Sequence, residues 1–228
     1  MHGQHGQKPN QNQDECQTER TQTQGESYQK ADGSYDLDKA FQELVRRVTK
    51  TGNEVPCSQE EFEEACQETG KIDTASIREA IAGFQAQAEG IIPGRIERDQ
   101  IAEASGERGP DFVHKDEETG STTVVHLKGP VGSAIQQAQG QNPNLERQGK
   151  AIGKGLFKQF AESINRDPSK VTVPSSITHN ILIVDLCDLP TGEKSQMIRH
   201  IDKGLMDAYT DWIKMNDPVP LLKINYLN

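Results

Sequence analysis

Pro110-Asp111-Phe112-Val113, followed after a polar turn by Thr122-Thr123-Val124-Val125-His126-Leu127-Lys128, decides the fold. The second run is β-branched and alternating, as a strand paired in a sheet should be, and Gly129-Pro130 terminates it. The first reads as a strand over Asp111-Phe112-Val113 that ends in a loop from Lys115 to Ser121, with a Thr119-Gly120 turn closing a hairpin. Side chains two apart on a strand share a face, so His126 and Lys128 point the same way. Asp111 opens one strand and Lys128 closes the other. The hairpin can therefore bring Asp111, His126 and Lys128 to one end of a sheet.

Outward from this hairpin the chain alternates helix and strand. Residues 144–165 have helical spacing, with Leu145, Ile152, Leu156, Phe160 and Ile164 toward a core. Ile181-Leu182-Ile183-Val184-Asp185-Leu186 is an apolar run of the kind buried in mid-sheet, residues 195–215 form another helix, and residues 221–227 a last strand. Val171-Thr172-Val173 fits a short strand or a loop. Upstream, Leu37, Phe41, Leu44, Val45 and Val48 mark a helix over 36–50. Ser58 with Glu61 forms a capping box opening a short acidic helix, and Ser76 with Glu79 repeats the device before a helix that ends at Gly90. Residues 95–105 read as a further helix. The expected fold is α/β, a mixed sheet flanked by helices. It divides into a disordered tail over 1–33, a small helical region over 34–92, and an α/β domain over 93–228.

Composition sets the limits. A chain of 228 residues supports one real core. The 32% hydrophobic and 5% aromatic content is low, so part of the chain stays outside that core. Residues 1–33 hold eight glutamines and lack Leu, Ile, Val and Phe, so they cannot offset the entropy of ordering. His2 and His5 belong to this polar tail. The formal charge of −10 argues against a protein that coats nucleic acid non-specifically, but is compatible with a local basic patch and a metal ion. Cys16, Cys57, Cys66 and Cys187 lack paired CxxC spacing, which points to reduced thiols rather than a zinc site or disulfide framework. No run approaches the roughly 20 apolar residues of a membrane span, and the N-terminus shows no signal peptide pattern. A reducing, cytoplasmic setting is expected.

Pro110-Asp111, fourteen residues, then His126-Leu127-Lys128 resembles the PD-(D/E)xK signature of the restriction-endonuclease-like nucleases. The resemblance covers about residues 95–190 and implies a restriction-endonuclease-like core ordered helix, strand, strand, strand, helix, strand. It also implies Mg²⁺- or Mn²⁺-dependent hydrolysis of nucleic acid, with Asp111 binding the metal and Lys128 orienting water and stabilising charge. His126 stands where the pattern has a second acidic residue. An imidazole can ligate a metal but brings no negative charge, which shifts preference from Mg²⁺ toward Mn²⁺. The family's helix carboxylate falls to Glu97 or Glu103, and its supporting helix residue to Gln148. A low-complexity lead before such a domain is similar to delivered bacterial toxin domains. That context implies action in a target-cell cytoplasm and an inhibitor protein in the producing cell.

Arg147, Lys150, Lys154 and Lys158 recur every three or four residues, a basic stripe suited to backbone phosphates or to solvent alone. The Gly149-Lys150 and Gly153-Lys154-Gly155 repeats lack Walker spacing and lie within a helix. His179, His200 and a Cys187 nucleophile are weaker candidates. The alternative to a nuclease is a binding or structural module that keeps the same sheet without chemistry.

Overall fold

The computed structural model describes residues 28–67, 71–98, 110–129, 131, 144–164, 177–214 and 224–228. Its elements are α1 (Leu37–Lys50), α2 (Gln59–Ala65), α3 (Thr74–Ala88), β1 (Phe112–Lys115), β2 (Thr122–Lys128), α4 (Leu145–Ile164), β3 (Ile177–Asp185), α5 (Thr191–Trp212) and β4 (Ile224–Leu227). They form a mixed four-stranded sheet in the order β1-β2-β3-β4, flanked by helices. β1 is antiparallel to β2, whereas β2, β3 and β4 run parallel.

Topology decides which helices cover which face. The strands are added in one direction from β2 to β4, and right-handed crossovers then place both connecting helices on the same side. Leu156, Phe160, Met197 and Ile201 of α4 and α5 accordingly pack with Leu182, Val184 and Ile224 of the sheet. The opposite face falls to the N-terminal helices, where Leu44, Phe62, Ile77 and Phe84 share one core with Phe112, Val125, Leu127 and Ile183. Six of the seven β2 residues are buried, as a strand covered on both faces and paired on both edges must be.

α4 and α5 approach so closely that main chain meets main chain. A Cβ on Gly153 would collide with the carbonyl of Ile201, and one on Gly204 with the backbone of Lys150. The glycine repeat of the helix is thus a packing device, and no phosphate loop is formed.

Several expectations need correction. Residues 95–98 are not helical: Glu97 and Val113 exchange main-chain hydrogen bonds of 2.9 and 2.8 Å, forming an antiparallel bridge on the outer edge of β1. The rest of the expected 95–105 helix lies outside the described residues, as does Val171-Thr172-Val173. α3 is capped one turn earlier than Ser76, by Asp73, with Ser76 as the reciprocating residue of the box. Residues 28–33, expected within the disordered tail, are folded. Tyr28 is 5% exposed in the core, and Gln29 bridges Tyr35 around Gly33 at φ 86°. The buried ring of Tyr28 anchors this segment to the core. Residues 1–27 lie outside the described residues. The box of Ser58 and Glu61 is formed, and no described helix is long and apolar enough to cross a membrane.

A buried ion pair joins the N-terminal layer to the sheet. Arg47 of α1 donates to Asp185 at the end of β3 at 2.9 Å and to Glu43 at 2.7 Å, while the Cys187 N–H donates to the other Asp185 oxygen at 2.8 Å. Asp185 is 1% exposed, so losing its partner would strand a desolvated charge. Arg47→Ala should cost about 3–5 kcal/mol in urea unfolding at neutral pH, and R47M/D185N should recover part of it by removing both charges. A loss below about 1 kcal/mol would mark the pair as no stronger than a surface one.

Candidate functional site

Asp111 stands just ahead of β1 and is fixed by β2. Its N–H donates to the Val125 carbonyl at 2.9 Å, and its carboxylate accepts the N–H of Leu127. The side chain thereby takes the main-chain donor between His126 and Lys128. Burial first, and the negative charge of Glu79 second, push its carboxyl up to about 7; the Leu127 N–H and the positive charges of Lys128 and Arg98 pull it back. Asp111 therefore lies within the electrostatic reach of Glu79, Lys128 and Arg98.

The charge of Lys128 acts on Asp111, whereas strand alternation turns His126 toward the other layer. Val125 and Leu127 belong to the core beneath α1, α2 and α3, so His126 between them turns to the opposite layer. Its register partner Leu182 packs under α4 and α5, and His126 is fully buried. Pleat alternation is the reason: the spacing that pairs His126 with Lys128 also sends it away from α3. Lys128 has the same parity but ends the strand, partly exposed, and its charge reaches Asp111.

Among the described residues, the carboxylate whose charge acts on Asp111 is Glu79 of α3. Glu97 contributes main chain to its bridge and has an exposed side chain, and Glu103 lies outside the described residues. Glu79, on α3, occupies the position instead. The sequence signal was present, but Ser76-x-x-Glu79 mimics a capping box and so accounts for Glu79 locally. Because Asp73 is the actual cap, the Glu79 side chain is released to bind Arg98 at 3.0 Å.

Arg98 completes the cluster. Its Nε donates to the Ala65 carbonyl at 2.9 Å, one terminal nitrogen to Glu79, and the other to the Ser76 carbonyl at 3.1 Å. The guanidinium carbon lies 4.8 Å from the ring centroid of Phe112, the residue after Asp111. Such stacking suits a planar, weakly hydrated cation.

The basic stripe lies on α4 as expected, with Arg147, Lys154 and Lys158 exposed. Lys150 is held above its ordinary value by its hydrogen bond to Glu146, with Asp207 adding to the effect. Asp211 is held below its ordinary range by Lys214 first, with Lys154 contributing. Acidic residues of α5 thus neutralise part of the stripe. Gln148 lies in the first turn of α4, and its buried side-chain oxygen has no hydrogen-bond donor among the described residues.

The cysteine candidate fails on electrostatics. Burial, followed by the charge of Asp185, pushes the Cys187 thiol up to about 12, which leaves it protonated and unreactive at neutral pH. Cys57, Cys66 and Cys187 are all free thiols. His179 lies on β3 opposite Thr123, and His200 packs against Gly149 where α4 and α5 meet.

Among the described residues, no group of three or more His, Cys, Asp or Glu side chains could enclose a metal ion. Compared with protein-family models, curated proteins and solved structures, the chain matches none.

The Asp111 shift fixes a pH signature. Its folded value of about 7 lies above the ordinary 3.8, so its contribution to stability is complete below about 3.8 and is lost as pH rises through about 7. Asn cannot ionise, yet its carbonyl oxygen can still accept the Leu127 N–H. Asp111→Asn should therefore gain melting temperature over the wild type as pH rises from about 4 to about 8. Parallel melting profiles across that range would show that Asp111 ionises without cost.

Proposed function

We propose that this protein is a divergent nuclease that hydrolyses phosphodiester bonds with a divalent cation, Mg²⁺ or Mn²⁺, held by Asp111 and Glu79. The observation that carries the proposal is a partly buried carboxylate, bonded to the main chain of β2, that lies within the electrostatic reach of a second carboxylate and of Lys128. The order α3, Glu97 bridge, β1, β2, α4, β3 is also the helix, strand, strand, strand, helix, strand order implied by the PD-(D/E)xK resemblance, and supports a restriction-endonuclease-like core.

The donor chemistry fits such an ion. Hard divalent cations take oxygen ligands, and Mg²⁺ in particular is held by one or two carboxylates plus water and substrate phosphate rather than by an all-protein cage. A cation would also relieve the repulsion that raises the Asp111 carboxyl. When bound, it would polarise the phosphate and make water more acidic.

The chain's own groups do the remaining work. The Leu127 N–H fixes one oxygen of Asp111, and Glu79 comes to it from the facing layer. Lys128 acts on Asp111 electrostatically, and its ammonium would steady the negative charge that develops on the phosphate oxygens. Arg147, Lys154 and Lys158 supply exposed charge for a backbone phosphate track. His126 has no part in this arrangement and acts as a buried packing residue.

A second reading has its own support. Arg98 already places a cation against Glu79, which would suit a nuclease-like module that binds without cleaving.

Full-length protein with Mn²⁺ should cut plasmid or single-stranded substrates. Lys128→Ala should slow this by roughly 10²–10³-fold with an unchanged melting profile, the scale for removing one charge-stabilising group. Glu79→Gln should have a comparable effect, and His126→Asn should leave the rate of the folded protein unchanged. Wild-type cleavage by K128A would remove the mechanism; no cleavage and no Mn²⁺ binding by the wild type would favour the binding module.

A further inference from the structure

β2 ends at Lys128, and the residue after it is pressed against the neighbouring strand. Gly129 takes φ 145°, where L side chains are strained, and a Cβ there would lie 2.6 Å from the Asp185 Cβ and 2.8 Å from the Asp185 carbonyl oxygen. The Gly129 main chain therefore rests directly on Asp185, an approach open only to glycine. Asp185 is itself held from several directions. Its carboxylate accepts the Arg47 guanidinium at 2.9 Å and the Cys187 N–H at 2.8 Å, and its main chain is paired with Leu227 of β4. On the other side of Lys128, the Leu127 N–H is taken by the Asp111 carboxylate. The main chain before and after Lys128 is thus fixed by one aspartate each.

From this geometry we infer that Asp185 is a positioning residue for Lys128, acting through the Gly129 main chain, with Arg47 holding Asp185 in place. The inference rests on the reading of Lys128 as the group that steadies phosphate charge. An ammonium on a flexible stem is placed only as well as the Cα from which the stem starts. A supporting contact that let this Cα drift by about 1 Å would forfeit much of the effect of the charge. Asp185 is 1% exposed and lies in the sheet rather than on a loop, which suits it to that support. The buried ion pair of Arg47 and Asp185 therefore does more than join α1 to β3: it seats the end of the strand beside it.

The test follows Lys128 itself, through the NMR signal of its side chain in full-length protein carrying isotope-labelled lysine, assigned by its loss in K128R. Plasmid cleavage with Mn²⁺ is measured beside it. Asp185→Ala removes both side-chain anchors and strands Arg47, so it should lose stability, and R47M/D185A should regain part of that loss. The Lys128 signal should be shifted or broadened in both variants, and kcat for cleavage should fall at least about tenfold in both, against roughly 10²-fold for a full 1 Å misplacement. A role in stability alone gives the opposite in the double variant, where signal and rate would recover with the melting temperature. Gly129→Ala leaves the ion pair intact, should displace the same signal, and carries the test if the Asp185 variants do not fold. A wild-type Lys128 signal in a cooperatively melting R47M/D185A or G129A overturns the positioning role. The signal also separates the two levels. If it is displaced while the wild type cuts nothing, the seating of Lys128 stands and the nuclease reading falls; if it is unmoved while K128A slows cleavage, only the positioning role falls.

Discussion

The position of the Asp111 carboxylate depends on the pairing of one strand with the next. Asp111 gives its N–H to Val125 and takes the N–H of Leu127 on its side chain, so its place is set by main chain rather than by a mobile neighbour. β2 in turn cannot shift, because β1 and β3 occupy both its edges and helices cover both its faces. A slip of one residue would exchange His126 for Leu127 on the α3 side, placing an imidazole in the apolar core there. The burial that fixes the register also makes Asp111 costly to ionise. Scaffold and site share one constraint.

The acidic pair is assembled across layers. Asp111 comes from the sheet edge and Glu79 from α3, and the charges of Glu79 and of its partner Arg98 both act on the Asp111 carboxyl. A parallel device secures the next strand, where Arg47 of α1 meets Asp185 at the end of β3. Gly129, directly after Lys128 and with φ 145°, lies against Asp185, so the two charged clusters occupy adjoining strand ends. The N-terminal helices are thus more than an appendage to the sheet. They supply the partner of its buried aspartate and one member of the candidate site.

Much of the fold was legible because the signals were local. The β-branched run gave β2 its bounds, the apolar run placed β3, helical periodicity located α1, α4 and α5, and Ser58 with Glu61 marked the start of α2. Pleat arithmetic gave His126 and Lys128 one parity, and the hairpin leaves Lys128 within electrostatic reach of Asp111. The misreadings arose where distant partners overrode local pattern. Residues 95–98 resemble a helix start, but Glu97 pairs with Val113 instead. Glu79 satisfies a capping pattern that Asp73 in fact fills, and its partner Arg98 is nineteen residues away. Arg47 and Asp185 are 138 residues apart, a separation that no periodicity spans. His126 was expected beside Asp111 from its shared parity with Lys128, whereas the alternation that puts Val125 and Leu127 under the N-terminal helices turns it toward α4 and α5.

Asp111 and Glu79 are proposed as one cation site near Lys128. It is tested most directly by anomalous diffraction from a crystal of the full chain equilibrated with Mn²⁺. An ion held there gives a peak within coordinating distance of both carboxylates, on the α3 side of β2. A crystal with Asp111 and Glu79 ordered and no peak between them, or with the ion at His126 on the other face, would contradict it.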